Sequence, residues 1–492
     1  MLLLGYDLGS SFVKCALVDA GTGRCIAHAQ YPETELSMVS HNPGWAEQDP
    51  ELWWDCIVKV TQKLLNATDG SVKDNIGAIG ISYQMHGLVA VDEKGEVVRP
   101  SIIWCDSRAV DFGREAFEDI GREKCLKHLL NSPGNFTASK LKWVKENEPG
   151  LYEKIHKVML PGDFVAMKLS GEIYTSISGL SEGVLWDFHD NRPAGFLMDH
   201  YGFSPDLLPD FKGSFAETGR LTSQAAGLLG LKEGIPITYR AGDQPNNALS
   251  LNVLEPGEIA ATAGTSGVVY GVSSEVTYDP ESRVNTFAHV NHADDLTRLG
   301  ILLCINGTGI LNNWVRNNTG WSDYEKMNNE IAGIAAGSDG VVVLPFGNGA
   351  ERVLGDQNIG CSIHGLNFNR HDKRHIARAA QEGIVFSLVY GLDIMKGLGV
   401  APKSIRAGNA NMFLSPVFRQ TLSDLTGAPI ELYNTSGAEG AALGASIGVG
   451  YYTGPKEAFR QLDKRLTVEP KVLDDSLGEA YSKWLNVLKE TI

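Results

Sequence analysis

The sequence predicts an α/β protein built in two similar halves. Helical patterns alternate with short apolar strands along most of the chain, which is typical of sheets covered by helices. Two hairpins with a glycine–hydroxyl turn, at 2–20 and 258–273, each open a long α/β segment. A Pro-Gly pair near residue 255 separates the segments. We therefore expect a first domain over 1–250 and a second over 256–485, with a ligand cleft between them.

The first half begins as a three-stranded meander. Apolar runs predict strands at 2–8 and 12–20, and a third strand follows a Gly-Thr-Gly turn at 24–32. An amphipathic helix is predicted over 50–68, and a strand over 76–82 follows it. The stretch 81–108 reads as a core hairpin whose strand ends carry polar residues that a core does not require.

The second half repeats this alternation. The hairpin "EIAATAGTSGVVYGVS" (258–273) opens it, and a long helix over 374–399 precedes a strand over 404–408. The run "GAEGAALGASIG" (437–448) has small residues on every face, so we expect a helix that packs closely on a neighbour.

Charge and composition exclude several classes of protein. The 492 residues carry a formal net charge of −16, which argues against nucleic acid or an anionic membrane as partner. No apolar run is long enough to span a membrane, and the N-terminus lacks a basic signal-peptide region. The seven cysteines never occur as C-x-x-C, which favours reduced thiols in a cytoplasmic protein. Oligomeric state is not readable from the sequence, and a homodimer stays open.

Several catalytic motifs are missing. No glycine precedes a lysine, so there is no P-loop, and no G-x-G-x-x-G dinucleotide fingerprint occurs. The serine-hydrolase pattern G-x-S-x-G occurs around Ser181 and Ser446, but without the strand–turn–helix context that this chemistry requires. A serine hydrolase is therefore a remote alternative.

The two hairpin turns suit phosphate groups. Gly9, Ser10 and Ser11 offer backbone N–H groups and hydroxyls, and Asp7 lies where a hydrated Mg²⁺ would bridge phosphates. Gly264 and Thr265 offer a second such turn. Either turn alone could be a simple tight hairpin. Their pairing, with an acid before only the first, favours phosphate binding.

A candidate general base follows the strand "ITYRAG". Asp243 opens a predicted helix directly after that strand. It could be an N-cap residue, a carboxylate that orients a substrate hydroxyl, or both, and a helix N-terminus would keep it ionised. A carboxylate can align an alcohol and accept its proton late in phosphoryl transfer.

Seven motifs in order resemble the FGGY family of carbohydrate kinases over residues 1–485. They are "DLGSSFVK", "GWAEQDPELWW", "QMHGLV", "IIWCDSR", "AGDQPNNAL", "ATAGTSGVV" and "GAEGAALGA". The resemblance implies two actin/hexokinase-type (ribonuclease H-like) domains. It further implies ATP bound mainly by the C-terminal domain, a sugar bound mainly by the N-terminal one, and Mg²⁺ bridging the phosphates.

The motifs "QMHG" and W-x-D-x-R are most similar to those of members that act on D-xylulose, so the resemblance implies ATP-dependent phosphorylation of a ketopentose. Glycerol kinases carry an Arg-Glu pair at the first motif, and its absence counts against glycerol. Another ketose, such as ribulose or fuculose, is the nearest alternative. An actin-like ATPase without a sugar substrate is more remote.

The resemblance also assigns residues. Asp243 matches the catalytic base, and Asp7 the acid at the first phosphate turn, where it would serve the metal. The expected sugar contacts are Gln84, Met85, His86, Trp104, Arg108 and Gln244. The expected nucleotide contacts are Gly9, Ser10, Ser11, Lys14, Gly264, Thr265, Gly408 and Asn411.

Two of these assignments have open alternatives. Arg108 could instead pair with Asp106 or Asp111 on the surface. Many relatives carry a Gly-Gly-Gly-Ala-Lys-Ser run at the adenine site, of which only Gly408 is kept here.

Overall fold

The N-terminal apolar run forms the strand around which the first sheet is built. The computed structural model describes residues 1–70, 72–472 and 475–492. Its strands up to residue 242 are β1 (Leu2–Leu8), β2 (Val13–Asp19), β3 (Cys25–Tyr31), β4 (Glu47–Gln48), β5 (Ile76–Tyr83), β6 (Val89–Val91), β7 (Ser101–Ile102), β8 (Lys157–Met159), β9 (Tyr174–Ser176), β10 (Trp186–Asp187), β11 (Arg192–Pro193), β12 (Asp210–Lys212), β13 (Gly219–Arg220) and β14 (Pro236–Gly242). The later strands are β15 (Glu258–Ala263), β16 (Gly267–Ser273), β17 (Asn285–Ala288), β18 (Leu299–Ile305), β19 (Val342–Phe346), β20 (Gly360–His364), β21 (Ser404–Gly408), β22 (Ile430–Asn434) and β23 (Asp463–Val468).

Seventeen α-helices lie in the described ranges. Ten of them begin before residue 250: α1 (Pro50–Asn66), α2 (Val110–Ile120), α3 (Arg122–Leu129), α4 (Thr137–Asn147), α5 (Pro149–Tyr152), α6 (Pro161–Ser170), α7 (Ile177–Glu182), α8 (Gly195–Tyr201), α9 (Ser223–Leu229) and α10 (Asp243–Ser250). The others are α11 (Gly309–Asn318), α12 (Tyr324–Ile331), α13 (Lys373–Gly397), α14 (Pro416–Thr426), α15 (Gly437–Gly448), α16 (Pro455–Ala458) and α17 (Asp475–Thr491). No helix in the described ranges has the length and apolar character needed to cross a bilayer.

The first sheet has six strands in the order β13-β14-β5-β1-β2-β3. The predicted meander is present, because β1 is antiparallel to β2 and β2 is antiparallel to β3. On its other side β1 runs parallel to β5, which runs parallel to β14. Three parallel neighbours therefore end at one edge of this sheet, with Leu8 and Gly242 both in register with Tyr83.

The second sheet repeats this plan in the order β17-β18-β16-β15-β21-β22-β23. Its hairpin pairs β15 with β16 in antiparallel fashion, and β15, β21 and β22 are parallel neighbours. A hairpin followed by two parallel strands thus occurs in both sheets. The duplication predicted from the two glycine–hydroxyl turns is present in the fold.

The helix α15 packs directly on the first sheet. A Cβ at Gly5 of β1 would lie 1.9 Å from the Ala438 carbonyl oxygen, and one at Gly80 of β5 would lie 1.9 Å from the Ala441 carbonyl oxygen. Only glycine on the strands and small residues on the helix allow this approach. The predicted close packing of "GAEGAALGASIG" therefore has a partner, the strands that lead to Asp7 and Gln84.

The chain forms two compact units, and each is made of three separate segments of the sequence. The first unit is Met1–Leu254, Phe287–Leu299 and Thr435–Leu462, and the second is Glu255–Thr286, Gly300–Asn434 and Asp463–Ile492. The domains expected over 1–250 and 256–485 were continuous stretches. The difference at 435–462 has a physical reason, since this segment contains α15, which packs on β1 and β5.

The hairpin expected over 81–108 is wrong. The strand β5 has β1 on one side and β14 on the other, so neither edge is available to a returning strand. Instead β7 pairs with β4, and β6 pairs with β8. His86 has a left-handed backbone (φ 61°) where the chain turns away from the sheet.

We expect Gly80→Ala to destabilise the first unit by at least about 2 kcal/mol, because its Cβ would collide with backbone of α15. Gly150→Ala is the matched control, since a Cβ there meets nothing within 4 Å and should leave stability nearly unchanged. Urea unfolding followed by circular dichroism measures both. Equal unfolding midpoints for the two variants would contradict the close packing.

Candidate functional site

The edge where β1, β5 and β14 end gathers the residues predicted to act on a sugar. Because the three strands are parallel neighbours, the residues at their carboxyl ends lie side by side. Asp7 is the second-last residue of β1, Gln84 directly follows β5, and Asp243 directly follows β14. The structure thus brings together groups that lie up to 236 positions apart in the sequence (243 minus 7).

Asp243 carries an unusual carboxyl group. It is the first residue of α10, while the N-cap position is held by Gly242, so Asp243 is not the capping residue. Burial, followed by the neighbouring Asp7 carboxylate, raises the pKa of Asp243 to about 7. We had expected the helix N-terminus to keep this group ionised, and the structure corrects that expectation. Burial and a second carboxylate outweigh the short helix.

Asp7 lies against the start of a helix. A Cβ at Gly437, the first residue of α15, would lie 2.7 Å from Asp7 Oδ2. Lys14 is directly opposite Asp7 in the β1–β2 register. Burial raises the pKa of Asp7, while the Lys14 charge acts in the opposite direction. The predicted metal-binding acid therefore sits beside Asp243, and its nearest basic neighbour along the hairpin is the Lys14 that was predicted to contact phosphate.

Gln244 is the residue after this acid. Its Nε2 donates to Asp243 Oδ2 at 3.1 Å, and its Oε1 is buried without a hydrogen-bond partner in the described ranges. The amide thus holds one oxygen of the base and has an acceptor to offer. This placement agrees with a sugar contact beside the base.

Met85 and His86 form the next part of the edge. Met85 is buried, and a Cβ at Gly242 would lie 2.6 Å from its Cγ, so its side chain covers the backbone before Asp243. His86 Nδ1 is 2.8 Å from the Glu182 carbonyl oxygen, which can only accept, so Nδ1 carries the proton. The aromatic rings of Phe136 and Phe287 flank the imidazole, at centroid distances of 4.9 and 5.4 Å.

Lys140 was missed by sequence reasoning. Its buried ammonium donates to the carbonyl oxygens of His86 at 2.8 Å and Ile103 at 3.0 Å. Burial lowers the pKa of Lys140 to about 7, although Asp106 opposes the shift. This lysine holds the "QMHG" turn beside the segment that carries Trp104. Nothing local in the helix α4 sequence marks it, because both of its partners are backbone atoms distant in the chain.

Gln84 points towards the first phosphate turn. Its side chain is buried, and Nε2 lies 3.4 Å from Gln48 Oε1. Gln48 in turn donates to the Ser10 carbonyl oxygen at 2.7 Å. Gln84 therefore supports the turn through Gln48, while its Oε1 is buried without a hydrogen-bond partner in the described ranges, so the expected sugar contact stays a prediction.

The first phosphate turn is held by several hydrogen bonds. Gly9 N–H donates to the Phe12 carbonyl at 3.0 Å, so this amide closes the turn instead of facing a ligand. The Ser11 carbonyl accepts from Leu36, and Trp104 Nε1 donates to Ser10 Oγ at 3.3 Å. Trp104 is otherwise half exposed, at 53%. Trp104 thus contacts the phosphate turn.

Arg108 is a structural residue in this fold. Its guanidinium is 1% exposed and pairs with Asp106 at 2.7 Å and Glu47 at 2.6 Å. It also stacks over Trp45 and Trp143, with centroid distances of 3.9 and 4.8 Å. The expected alternative of an ion pair with Asp106 is present, but it is buried and not at the surface. All of these contacts leave no reason to assign Arg108 to the sugar.

The second turn lines a pocket of about 450 Å³ within the second unit. Gly264, Thr265 and Asn411 all face it, whereas Gly408 ends β21 and is not among its lining residues. The pocket wall also includes residues that sequence reasoning missed: Gly309, Asn312, Asn313, Tyr324, Asn328 and Ser415. For Gly309, Asn312 and Asn313 the signal was the "GTGILNN" run, a glycine turn that leads into a helix.

Gly309 explains how the pocket is assembled. Its N–H donates to the Gly264 carbonyl at 2.9 Å, and a Cβ on Gly309 would lie 2.0 Å from that oxygen. The Ile310 N–H donates to the Thr265 carbonyl at 3.2 Å. The start of α11 is therefore bound to the second turn through backbone hydrogen bonds, so that both line one pocket.

Neither serine of the G-x-S-x-G patterns is placed for hydrolysis. Ser181 Oγ donates to the Ser178 carbonyl at 2.8 Å within α7, and Ser446 Oγ donates to the Leu443 carbonyl within α15. Both side chains are buried in helices. The context expected of a nucleophile elbow, a strand leading into a sharp turn, occurs at neither position.

Comparison with known proteins places this site in a family. Models of the FGGY family of carbohydrate kinases match residues 2–250 with the N-terminal domain and 259–451 with the C-terminal domain. The xylulose kinase of Escherichia coli (strain K12) is 28% identical over 479 residues, covering 96% of this chain and 95% of that protein. A probable L-xylulose kinase of Haemophilus influenzae is 28% identical over 454 residues, covering 89% of both chains.

A solved structure supports the fold. The xylulose kinase from Rhodospirillum rubrum has a TM-score of 0.89 at 24% sequence identity, covering 100% of this chain and 99% of that one. The predicted α/β fold with two actin/hexokinase-type halves is thereby confirmed.

We expect Asp243→Asn to raise the free energy of unfolding, and to do so more at pH 8 than at pH 5. The folded pKa of about 7 lies above the unfolded value of about 3.9, so the folded state binds the extra proton. Ionisation therefore begins to cost stability as pH rises past the unfolded value, and the full cost is present above the folded one. Thermal unfolding should show a gain of a few °C at pH 8 and less at pH 5. The exposed Asp295→Asn is the control, and a gain independent of pH would contradict the shift.

We expect Arg108→Met to cost about 3–5 kcal/mol of stability, because it leaves Asp106 buried without its arginine and Glu47 with Arg99 as its one remaining arginine partner in the described ranges. Arg114→Met is the matched control, since its pair with Asp111 is exposed and contributes about 0–1 kcal/mol. Denaturant unfolding measures both losses. A stable Arg108→Met protein with a raised KM for sugar would instead show a substrate contact.

Proposed function

The chain belongs to the FGGY family of carbohydrate kinases, and from that premise we propose that it transfers the γ-phosphoryl group of ATP to a ketopentose, with D-xylulose as the first candidate. The chain is an enzyme, a sugar kinase, and family membership makes ATP its phosphoryl donor. The observation that carries the choice of acceptor is the edge where Asp243 lies beside Met85 and His86. Relatives named xylulose kinase, at 28% identity over nearly the whole chain, support it.

Asp243 has the chemistry of a general base for this transfer. A base is most effective when its pKa is near the working pH, and burial beside Asp7 raises the pKa of Asp243 to about 7. About half of the Asp243 carboxyl groups are then ionised near neutral pH and able to accept a proton. Once protonated, a carboxyl group with this raised pKa binds its proton more tightly than an ordinary aspartate does. In a loose transition state the carboxylate aligns the sugar hydroxyl and takes its proton as the O–P bond forms.

The acid pair also fits a magnesium ion. Mg²⁺ prefers hard oxygen ligands and is commonly bound through one or two carboxylates plus substrate phosphates. Asp7 and Asp243 supply such carboxylates, close enough for Asp7 to raise the pKa of Asp243, and Asp7 would be the ligand. When bound, the ion would neutralise charge on the phosphates of ATP. Ser10 and Ser11 would contact those phosphates through the first turn, whereas the Gly9 amide closes the turn itself.

The sugar end suits a polyhydroxylated ketose better than an apolar or cationic ligand. Met85 offers an apolar wall for a C–H face, and the imidazole of His86 beside it would offer a polar contact for a hydroxyl. Gln244 Oε1 adds an acceptor. The relatives include both a xylulose kinase and a probable L-xylulose kinase, so the configuration at each carbon has to be measured.

The pocket of the second unit is the proposed place for adenosine and the outer phosphates. Gly264 and Thr265 present the second glycine–hydroxyl turn, and Asn411 lies across from it, its Nδ2 3.6 Å from where a Gly264 Cβ would be. The amides Asn312 and Asn313 supply donors and acceptors for the base or ribose. Asn411 is therefore the proposed adenosine contact in this pocket, in preference to Gly408.

An ADP-release assay across ketoses, aldoses and polyols tests the proposal. We expect turnover to require a sugar, with D-xylulose among the best, and the log of kcat/KM to rise with pH and level off above about 7 because ionised Asp243 is the active form. Asp243→Ala should lower kcat by at least about 10³-fold, while circular dichroism stays unchanged. ATP hydrolysis at full rate without any sugar would instead favour an actin-like ATPase.

A further inference from the structure

Glu182 carries a buried acidic side chain. It is the last residue of α7, inside the "GLSEG" pattern that drew attention only for its serine. Its side chain is 1% exposed, and neither carboxyl oxygen makes a hydrogen bond of normal geometry within the described ranges. The Tyr83 hydroxyl is close enough to act on its titration, but not well enough aligned to satisfy it. Buried polar groups are almost always paired, so two orphaned oxygens on one side chain need an explanation.

The orphaned carboxyl points at the sugar edge. A Cβ at Gly242 would lie 2.5 Å from Glu182 Oε2 and 2.6 Å from Met85 Cγ, so both side chains meet over the backbone that leads into Asp243. The carbonyl of Glu182 accepts from His86 Nδ1 at 2.8 Å. One residue therefore fixes the imidazole with its backbone and places its side chain beside the proposed base.

No cation in the described part of the chain forms an ion pair with this acid. The nearby Arg240 is already paired with Asp163, with Nε 2.7 Å from Oδ1. Burial raises the pKa of Glu182 well above its usual range, and the charges of Asp243 and Asp163 raise it further, while Tyr83 opposes the shift. Burial therefore favours the protonated carboxyl group, which has one O–H donor and one carbonyl acceptor.

We propose that Glu182 is a specificity-determining residue of the sugar site, whose carboxyl group donates one hydrogen bond to the acceptor sugar and accepts one from it, at a hydroxyl other than the one that is phosphorylated. The inference rests on the proposed function. A hydroxyl is itself donor and acceptor, so it matches both orphaned oxygens. A buried polar group rejects a ligand that cannot form a hydrogen bond with it, so this contact would discriminate between sugars. If the carboxyl group bound only water, it would have no such role.

The proposed sugar contact gives a reason for a buried acid that lowers the stability of the fold. Burying an unpaired carboxyl disfavours the folded state, and replacing it with an apolar side chain of similar volume is expected to stabilise the protein. Glu47, also buried but paired with Arg99 and Arg108, provides the contrast. Glu182→Leu should raise the thermal midpoint, whereas Glu47→Leu should lower it.

The test compares wild type, Glu182→Leu and Glu182→Gln, the last of which keeps shape, donor and acceptor. On the sugar that wild type prefers, we expect Glu182→Leu to lower kcat/KM by about 30- to 100-fold, chiefly through KM for sugar, as the loss of two hydrogen bonds implies. KM for ATP should change less than twofold. Glu182→Gln should stay within tenfold of wild type. Should Glu182→Leu fail to fold, Glu182→Ala takes its place.

Singly deoxygenated analogues of that sugar identify the contact. For one analogue, the kcat/KM of wild type should fall relative to the parent sugar, whereas Glu182→Leu should have the same kcat/KM for both. The two enzymes should then have similar kcat/KM values for that analogue. Equal losses by both enzymes on every analogue, or an amino sugar as the preferred substrate of wild type, would overturn the proposal. If Glu182→Leu matches wild type on the parent sugar, this inference fails alone. If wild type phosphorylates no sugar, the proposed function fails with it.

Discussion

The parallel alignment of β1, β5 and β14 is the constraint on which the rest of the first unit depends. Because these strands end together, residues from three distant parts of the sequence meet at one edge. The alignment is held from behind by α15, whose backbone contacts Gly5 and Gly80 so closely that no side chain fits between them. The first turn of the same helix faces Asp7. Packing and chemistry are thus linked through one helix of small residues.

This edge concentrates carboxyl groups, and that concentration sets their chemistry. Asp163 is paired with Arg240, whereas Asp7, Glu182 and Asp243 have no ion pair with a buried cation among the residues that the structure describes. Burial raises the pKa of each of these three, and Asp7 adds to the shift at Asp243. Burial therefore favours protonation at this edge, whereas in the buried network around Arg108 the acids Glu47 and Asp106 are paired with arginines. The first arrangement favours proton transfer and hydroxyl recognition, and the second favours rigidity.

Local sequence patterns predicted many of the helices and strands, but they did not predict the contacts between residues distant in the chain. The strands ending near Asp7 and Asp243 and the helices α1 and α13 follow from apolar periodicity, so sequence predicted them. The pairing of β5 was missed, because nothing local says which strands lie on its two sides. Lys140 and Glu182 were missed for a related reason. Lys140 donates to carbonyl oxygens that are distant in the chain, and Glu182 is conspicuous because its carboxyl oxygens have no hydrogen-bond partner in the described ranges. Arg108 shows the opposite error, since a residue beside a binding motif can serve the fold.

The duplicated hairpin shows how one backbone can serve two ligands. In both sheets an antiparallel pair is joined by a glycine–hydroxyl turn, "DLGSS" in the first and "TAGTS" in the second. Two residues before the first glycine of each turn, the first hairpin has Asp7 and the second has Thr262. A carboxylate beside a polyphosphate is repulsive unless a cation lies between them, whereas a hydroxyl is neutral and can donate. Under the proposed function, the hydroxyl of Thr262 would let the second turn hold a nucleotide directly, and the acid Asp7 would require a bridging cation at the first turn.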